Sequence, residues 1–353
     1  MSEQRAFLCG YYGQGNAGDE ALLAALLQML PATVRPIVLT GDPPATYARF
    51  QVETCDRRSG WQLLQSLRRS EAFIWGGGSL MQDATSWRSP LYYGGLMAFA
   101  QQRGLRTLAW AQGLGPLHRG WVRGLARQTL AGCTAVSVRD AASAALLQDW
   151  QIPSLLAPDP VWALEATPPP GLGDLHAPRV AVVLREHPLL TPAWQRVLTQ
   201  ALVDFQRATD TTLLLVPFQP HRDRPLAEAI AHHLPQSSVI LSYDDPRQCK
   251  GLFIGVEFTI GMRLHSLIMA AAEGCRCFAL SYDPKVTQLM EELALPGCHL
   301  ADGPPEAQAL SRQWLHCYAN DLPLDPGRIE SLRDRARLHR ELLHQFFSEP
   351  APA

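Results

Sequence analysis

Short apolar runs alternate with glycine-rich or polar loops and with longer amphipathic segments along most of the chain. In the first half this pattern predicts strands at 6–9, 34–40, 73–75, 107–111, 135–138 and 155–157, and helices at 21–30, 91–103 and 141–150. In the second half it predicts strands at 180–184, 213–217, 238–241, 252–254 and 277–280, and a helix at 192–208 that Thr191 caps. Strands that alternate with helices are typical of α/β domains with a parallel sheet.

The two α/β series are separated by a stretch that is dense in proline and glycine and lacks periodicity, at 167–178. A chain of 353 residues is long enough for two domains of ordinary size. We therefore predict an N-terminal domain at 1–166, a linker at 167–178, a C-terminal domain at 179–324 and a last segment at 325–353, which holds a helix at 325–347 and a tail.

Composition excludes several classes of protein. Hydrophobic residues are 47% and charged residues 18%, an ordinary globular balance, and the net charge of -2 gives no overall basic field, so we expect no nucleic-acid partner. The start does not have the form of a signal peptide, and no apolar run of about 18 residues could span a membrane. The eight cysteines lack zinc-site or redox spacing. We expect a cytoplasmic protein with buried free thiols and no metal.

Three predicted strands of the first half end in glycine-rich loops that carry amide, hydroxyl or carboxylate groups. Because the carboxyl ends of parallel strands share one edge, these loops predict a site for a polar ligand. The candidate binding residues in them are Gly13, Gly15, Asn16, Asp19, Gly77, Gly78, Ser79, Gln82, Asp83 and Gln112.

The first of these loops also matches a dinucleotide-binding pattern. Gly13, Gly15 and Gly18 have the required spacing, and Asp42 follows the next strand. Asp19 and Glu20 come directly after the last glycine, however, and would place carboxylates beside a pyrophosphate. The alternative of a nicotinamide enzyme is therefore kept but not favoured.

In the second half, four basic or titratable side chains each follow a predicted strand: Arg185, Arg263, His265 and Lys285. The stretch 259–269 has the form of a strand end, a tight turn at Gly261 and the start of a buried helix. If the sheet is parallel, the four side chains share one edge and could bind a small dianion near helix N-termini. The alternative is that they are independent surface charges.

A stripe of arginines at 119, 123 and 127 recurs every four residues, with Trp121 and Leu125 between them. A solvated helix face is the ordinary interpretation of such a stripe. The alternative is a basic patch that rests on an anionic membrane surface or binds a diphosphate.

Taken together, the motifs resemble those of the polysaccharide pyruvyl transferase family, and most of all its bacterial cell-surface branch. The resemblance extends over nearly the whole chain, at 10–21, 76–83, 112–116, 137–140, 158–160, 261–266 and 281–285. It implies two Rossmann-like α/β domains that face each other across a cleft, as in glycosyltransferases of the B type. It also implies phosphoenolpyruvate as donor, with no other cofactor, and a sugar diol as acceptor, which becomes a pyruvate ketal.

Further expectations come from the same resemblance. By position, Arg185, Arg263, His265 and Lys285 match the donor site, with His265 as general acid or base, and the glycine loops of the N-terminal domain fall on the acceptor side. The acceptor in the cell-surface branch is a lipid-linked amino-sugar disaccharide of a cell-wall polymer, which leaves peripheral contact with the inner face of the membrane open. The loop at His221 and Asp223 matches no motif of the family. A nucleotide-sugar glycosyltransferase and a non-catalytic sugar-binding protein remain as rivals.

Overall fold

The protein, described here by a computed structural model, folds into two α/β units, and the structure describes residues 3–84 and 86–349. Of the predicted C-terminal tail, residues 350–353 lie outside the described residues. The strands are β1 (Gln4–Cys9), β2 (Val34–Thr40), β3 (Glu53–Asp56), β4 (Ala72–Gly78), β5 (Arg106–Gln112), β6 (Ala135–Val138), β7 (Leu155–Leu156), β8 (Arg179–Val183), β9 (Thr212–Leu215), β10 (Ser238–Ile240), β11 (Phe258–Gly261), β12 (Arg276–Ser281) and β13 (Gly297–His299).

The helices lie between these strands and after the last of them. They are α1 (Ala17–Met29), α2 (Pro43–Phe50), α3 (Gly60–Arg68), α4 (Arg88–Gln102), α5 (Gly120–Ala131), α6 (Ala141–Asp149), α7 (Pro192–Thr209), α8 (Pro220–Ala231), α9 (Pro246–Gly251), α10 (Leu264–Ala272), α11 (Pro284–Leu293), α12 (Ala307–Asn320), α13 (Pro326–Ala336) and α14 (Leu338–Ser348).

The first unit comprises residues 1–14, 19–164 and 332–353 and contains a seven-stranded parallel sheet in the order β3-β2-β1-β4-β5-β6-β7. Its central strands β4 and β5 are buried along their whole length, as expected for a sheet that is covered on both faces. The strand order reverses between β1 and β4. The ends of these two strands, where the glycine loops begin, therefore form the switch point at which such sheets bind ligands.

The second unit comprises residues 15–18 and 165–331 and contains a six-stranded parallel sheet in the order β10-β9-β8-β11-β12-β13. Its order reverses between β8 and β11, which is the same topology again. The predicted α/β class is thus confirmed in both units, and each sheet has the arrangement of a Rossmann-like domain.

Two predicted elements differ from the structure. The apolar run at 252–254 forms turns after α9 instead of a strand. Leu252 and Phe253 are buried core residues there, and a short apolar run does not show whether its backbone is a strand or a turn. The predicted helix at 325–347 is two helices, α13 and α14, with a break at Arg337. The predicted cap is confirmed, because the Thr191 hydroxyl accepts a hydrogen bond from the Trp194 N–H at the start of α7.

The proline-rich stretch at 167–178 belongs to the second unit and is bonded within it. The Thr167 N–H donates to the Arg247 carbonyl (3.0 Å), and a side chain at Gly251 would collide with the Thr167 carbonyl. The Arg179 guanidinium donates to the carbonyl of Leu175. The stretch predicted as a linker is therefore held in place by hydrogen bonds to backbone carbonyls.

Helix α14 completes the core of the first unit through His339, whose side chain is fully buried. The imidazole Nε2 lies 3.1 Å from the Pro158 carbonyl oxygen and Nδ1 lies 3.0 Å from the Ser137 hydroxyl. Because the Pro158 carbonyl can only accept, Nε2 carries the proton, and in a neutral ring Nδ1 then accepts from the Ser137 hydroxyl. Burial lowers the pKa of His339 from 6.5 to about 4, against the opposing effect of Asp159.

The stability of the protein should therefore fall in mildly acidic solution. A histidine whose pKa is lower in the folded state contributes its full stability above pH 6.5 and loses it as the pH falls towards 4, a loss of about 3 kcal/mol for this shift. Urea unfolding at a series of pH values should show a shallower loss for His339→Gln than for the unaltered protein. His316→Gln, at an exposed position, is the control and should leave the slope unchanged. Equal slopes in all three proteins would contradict this account.

Candidate active site

Arg263 lies at the N-terminus of α10, directly after the β11 end, and is buried to 7% exposure. Its Nη2 donates to both carboxylate oxygens of Asp223, at 2.8 and 2.6 Å. Asp223 also accepts from the Gln219 N–H (2.8 Å) in the first turn of α8, so it caps that helix. The Arg263 Nε is buried and has no hydrogen-bond partner among the described residues. One donor of this guanidinium is thus fixed in place but unsatisfied.

The turn that places Arg263 depends on glycine. A Cβ atom at Gly261 would lie 2.8 Å from the Leu267 side chain and 3.0 Å from the Ser266 hydroxyl. That hydroxyl donates to the Arg263 carbonyl (2.7 Å), which closes the first turn of α10. The buried helix can therefore start immediately after the strand.

Arg185 follows the β8 end and contacts an aromatic pair. Its Nη1 donates to the Tyr282 hydroxyl (2.7 Å), and its guanidinium carbon lies 5.0 Å from the Tyr282 ring centroid. The His187 ring packs on the same tyrosine ring, with the centroids 4.6 Å apart, and burial, together with the Arg185 charge, lowers the pKa of His187. Like that of Arg263, the Arg185 Nε is buried without a partner in the described part of the chain.

His265 lies in the first turn of α10 against a segment from the start of the chain. A Cβ atom at Gly18 would be only 2.3 Å from the His265 Nδ1, so the imidazole packs directly against the Gly18 backbone, where no side chain would fit. The segment 15–18 belongs to the second unit, where the Ala17 N–H donates to the Phe218 carbonyl (2.8 Å). Gly15 and Asn16, predicted on the acceptor side, thus belong to the same unit as the donor candidates.

Lys285 lies in the first turn of α11, after β12, where its backbone N–H donates to the Asp283 cap (2.8 Å). In register, Val183, Gly261 and Ala279 are neighbours across β8, β11 and β12. The four predicted residues therefore follow the carboxyl ends of three adjacent strands of one sheet. Two of these strand ends lead directly into α10 and α11, whose exposed N–H groups favour an anion.

The glycine loops of the first unit form a second group of candidate residues. Gly77 and Gly78 have positive φ values of 91° and 88°, which L side chains rarely adopt. A Cβ atom at Gly78 would lie 3.5 Å from an Asp19 carboxylate oxygen, so Asp19 lies beside this loop. The Gly13 N–H donates to Glu20 (2.7 Å). The N–H group that a dinucleotide phosphate would need at Gly13 is thus bound by the protein itself.

Three other candidates in this unit are bonded within the fold. Asp83 accepts from the backbone N–H groups of His118 (2.8 Å) and Arg119 (2.7 Å); burial raises its pKa, but these bonds outweigh that effect, and the pKa is lowered. Gln82 accepts from the Ala84 N–H (3.0 Å). Gln112 has no exposed surface, and its amide donates to the Trp110 carbonyl (2.9 Å). These contacts give Asp83 and Gln112 structural roles in holding the loops.

Ser79 contacts a buried ion pair that sequence reasoning did not assign. Arg139 pairs with Asp159 at 2.6 Å, and both side chains are almost fully buried. The same guanidinium reaches the Ser79 hydroxyl at 3.3 Å. The pair therefore positions the end of the glycine loop that carries Ser79.

Sequence reasoning also missed Asp223 as the partner of Arg263, and His187 and Tyr282 as the neighbours of Arg185. The available signal was position, since all three follow strands of the same sheet. Within residues 3–84 and 86–349, no group of three or more His, Cys, Asp or Glu side chains could hold a metal ion.

The family model for polysaccharide pyruvyl transferase matches residues 16–284, which include every one of the second-unit candidates except Gly15 and Lys285. The chain belongs to the polysaccharide pyruvyl transferase family. Among curated proteins, none has a sequence that matches it. Family membership makes the chain a transferase of polysaccharide biosynthesis, with a sugar as the expected acceptor.

Solved structures share the fold at low identity. S. aureus MnaA, in a co-structure with UDP, is 12% identical with a TM-score of 0.67, covering 99% of this chain and 96% of its own. A putative UDP-N-acetylglucosamine 2-epimerase from Listeria monocytogenes is also 12% identical, with a TM-score of 0.66 and coverage of 100% and 99%. Anabaena HepE, in complex with UDP and glucose, is 11% identical with a TM-score of 0.62 and coverage of 99% and 100%. The pyruvyl transferase therefore has the two Rossmann-like domains of B-type glycosyltransferases and related epimerases.

Proposed function

We propose that this pyruvyl transferase uses phosphoenolpyruvate as donor and converts a sugar diol into a pyruvate ketal with release of phosphate. The observation that carries the proposal is the pair of arginines at the switch point of the second sheet, the buried Arg263 and the half-buried Arg185. Each retains a buried Nε without a partner in the described chain. Unsatisfied buried donors are costly, and an anionic ligand would satisfy them.

The charges suit this donor. Phosphoenolpyruvate carries a carboxylate and a phosphate, and a guanidinium can bind either of them through two hydrogen bonds. Asp223 neutralises part of the Arg263 charge and fixes its plane, and Arg185 adds a further cation at the same edge. Lys285, in the first turn of α11, is the third basic residue that we assign to the donor. The net positive charge of this group favours a dianion over a neutral sugar.

The reaction requires a proton at carbon and the loss of a proton from each of two sugar hydroxyls, and a histidine suits one of these transfers. The methylene carbon of the enol takes a proton, and the resulting oxocarbenium-like carbon is attacked by one sugar hydroxyl. The second hydroxyl then displaces phosphate. One of the two hydroxyl protons makes up for the proton added to carbon, and the other is taken up by the released phosphate. We assign His265 to this proton transfer as general acid or base.

For the acceptor we propose a lipid-linked amino-sugar disaccharide of a cell-wall polymer. The support is the motif resemblance to the cell-surface branch together with the family's action on polysaccharides. Gly77, Gly78, Ser79 and Asp19 are the residues of the first unit that we assign to it, because they lie at that sheet's switch point.

A nucleotide-sugar glycosyltransferase is the second candidate. The observation in its favour is that proteins of the same fold, Anabaena HepE and S. aureus MnaA, are seen with UDP. Their identity to this chain is 11% and 12%, so the likeness supports the fold and leaves the substrate open.

Phosphate release from phosphoenolpyruvate, measured with a panel of soluble and lipid-linked sugars, tests the proposal. We expect release that depends on a sugar with two suitable hydroxyls, and a ketal product that is heavier by the pyruvylidene group in mass spectrometry. The matched control replaces phosphoenolpyruvate with UDP-sugars. Turnover of a UDP-sugar without release from phosphoenolpyruvate would refute the proposed donor.

A further inference from the structure

The helices α4 and α5 of the first unit present a surface whose composition differs from the rest of the chain. Residues 84–139 contain seven arginines but no lysine, aspartate or glutamate, in a protein whose net charge is -2. Arg106 and Arg139 are buried inside the unit, where Arg139 pairs with Asp159. The other five are exposed: Arg88, Arg103, Arg119, Arg123 and Arg127. The Arg88 guanidinium lies 5.7 Å from the Trp87 ring centroid, and that of Arg123 lies 5.9 Å from the ring of Trp150, at the end of α6.

Large apolar side chains are exposed at the starts of the same two helices. Trp87 is 45% exposed, Trp121 47% and Leu91 51%. The two tryptophan rings contact each other edge to face, with centroids 6.3 Å apart, so they form one patch across the starts of both helices. Close packing joins the helices beneath them, because a Cβ atom at Gly94 would lie 2.9 Å from the Leu125 side chain. We call the exposed side chains of these two helices, Trp87, Leu91 and Trp121 with the arginines at their starts and along α5, the tryptophan–arginine surface.

The shallow shape of this surface suits a lipid bilayer better than a protein partner that must fit a groove. Three glycines lie on the outward side of the two helices with open space where a side chain would be, at 95, 120 and 124. The result is a shallow face from which the indole rings project. Tryptophan is the residue enriched at the headgroup level of membranes, and exposed arginines are attracted to anionic lipids.

We propose that the tryptophan–arginine surface binds the protein to an anionic lipid bilayer. The described residues include no helix with the length and apolarity needed to cross a bilayer, so contact would be peripheral. The loop that connects β4 to α4 carries Ser79 at one end and Trp87 at the other, and Asp83 within it binds the backbone of Arg119. Bilayer contact would therefore bring the glycine loop of this unit near the membrane, where a lipid-linked acceptor is found. The presence of a lipid-linked acceptor at the membrane rests on the proposed function.

Flotation with large unilamellar vesicles tests the proposal without any need for turnover. The full chain should float with vesicles of roughly 70% phosphatidylcholine and 30% phosphatidylglycerol. It should not float with phosphatidylcholine alone, and salt should weaken the binding because exposed charges are screened. Both Trp87→Ser/Trp121→Ser and Arg88→Gln/Arg127→Gln should lower the partition coefficient by about ten-fold or more.

The controls are matched in residue type. Trp61→Ser alters a tryptophan that is 71% exposed on α3, and Arg335→Gln/Arg340→Gln alters two exposed arginines of α13 and α14. Both should bind vesicles like the unaltered protein, and all variants should melt alike. No flotation of the unaltered protein, or equal losses in the controls, would overturn the proposal. If the arginine variant alone lost binding, the tryptophan rings would not contribute to it, and the proposed surface would be wrong.

Because flotation is independent of catalysis, the two proposals can fail separately. A protein that binds vesicles but does not release phosphate from phosphoenolpyruvate would keep the bilayer surface and lose the proposed donor. Phosphate release with a soluble sugar but no vesicle binding would keep the proposed donor and lose the bilayer surface.

Discussion

Replacing His265 with alanine is expected to reduce turnover by about 10²- to 10⁴-fold, which is the usual contribution of a general acid or base. The imidazole lies against the backbone of Gly18, and the two arginines carry most of the positive charge proposed to hold the anion. Donor affinity should therefore change little, because Arg185 and Arg263 remain in place. Phosphate release measures turnover, and calorimetric titration with phosphoenolpyruvate measures affinity.

His221→Ala is the matched control for this experiment. His221 is the other imidazole beside the same segment, and its Nδ1 would be 3.6 Å from a Cβ atom at Gly15. We expect its loss to affect turnover far less, since His221 lies on α8 and not at the β11 end. Near-normal turnover in His265→Ala, or equal losses in both variants, would show that His265 is not the group that transfers the proton.

Replacing Asp223 with alanine is expected to destabilise the protein by about 3–5 kcal/mol, the cost of leaving a buried charge unpaired. The Arg263 side chain is only 8% exposed, and Asp223 accepts two hydrogen bonds from it at 2.8 and 2.6 Å. The helix cap at the Gln219 N–H is lost as well. The free energy of unfolding, measured in urea, should fall accordingly.

A double variant separates the charge from the cap. Asp223→Ala/Arg263→Met removes both charges and should recover most of the lost stability, although it should not restore activity. Arg222 and Arg224 flank Asp223 on α8, so no acidic side chain at an adjacent position could replace the lost carboxylate. A double variant as unstable as Asp223→Ala would mean that the ion pair is not the source of the loss.

Much of the fold follows from local pattern, because each buried parallel strand is a short apolar run bounded by a loop. The predicted and observed limits agree fully at 34–40 and 135–138, where the run has clear polar neighbours. The prediction was wrong at 252–254, where the run is apolar but packs in turns. Local composition reports burial, and the backbone form of a short buried run depends on the tertiary contacts around it.

The candidate site shows the same division. The positions of Arg185, Arg263, His265 and Lys285 after strand ends were predictable, since a parallel sheet brings those ends to one edge. The pairing of Arg263 with Asp223 was not, because it joins two segments that are 40 residues apart in the sequence. Likewise, the amide of Gln112 looked available in the sequence, but in the fold it is turned inward to the Trp110 carbonyl.

The course of the chain through the two units has a consequence for synthesis on the ribosome. Residues 332–349 supply the first unit with His339, whose ring bonds to Ser137 and Pro158 and whose carbonyl accepts from the Trp110 indole. The nascent first unit therefore lacks part of its interior until the whole second unit has been translated. The first unit therefore stays incomplete, with Trp110 and Ser137 lacking these partners, while roughly half of the polypeptide is still being synthesised.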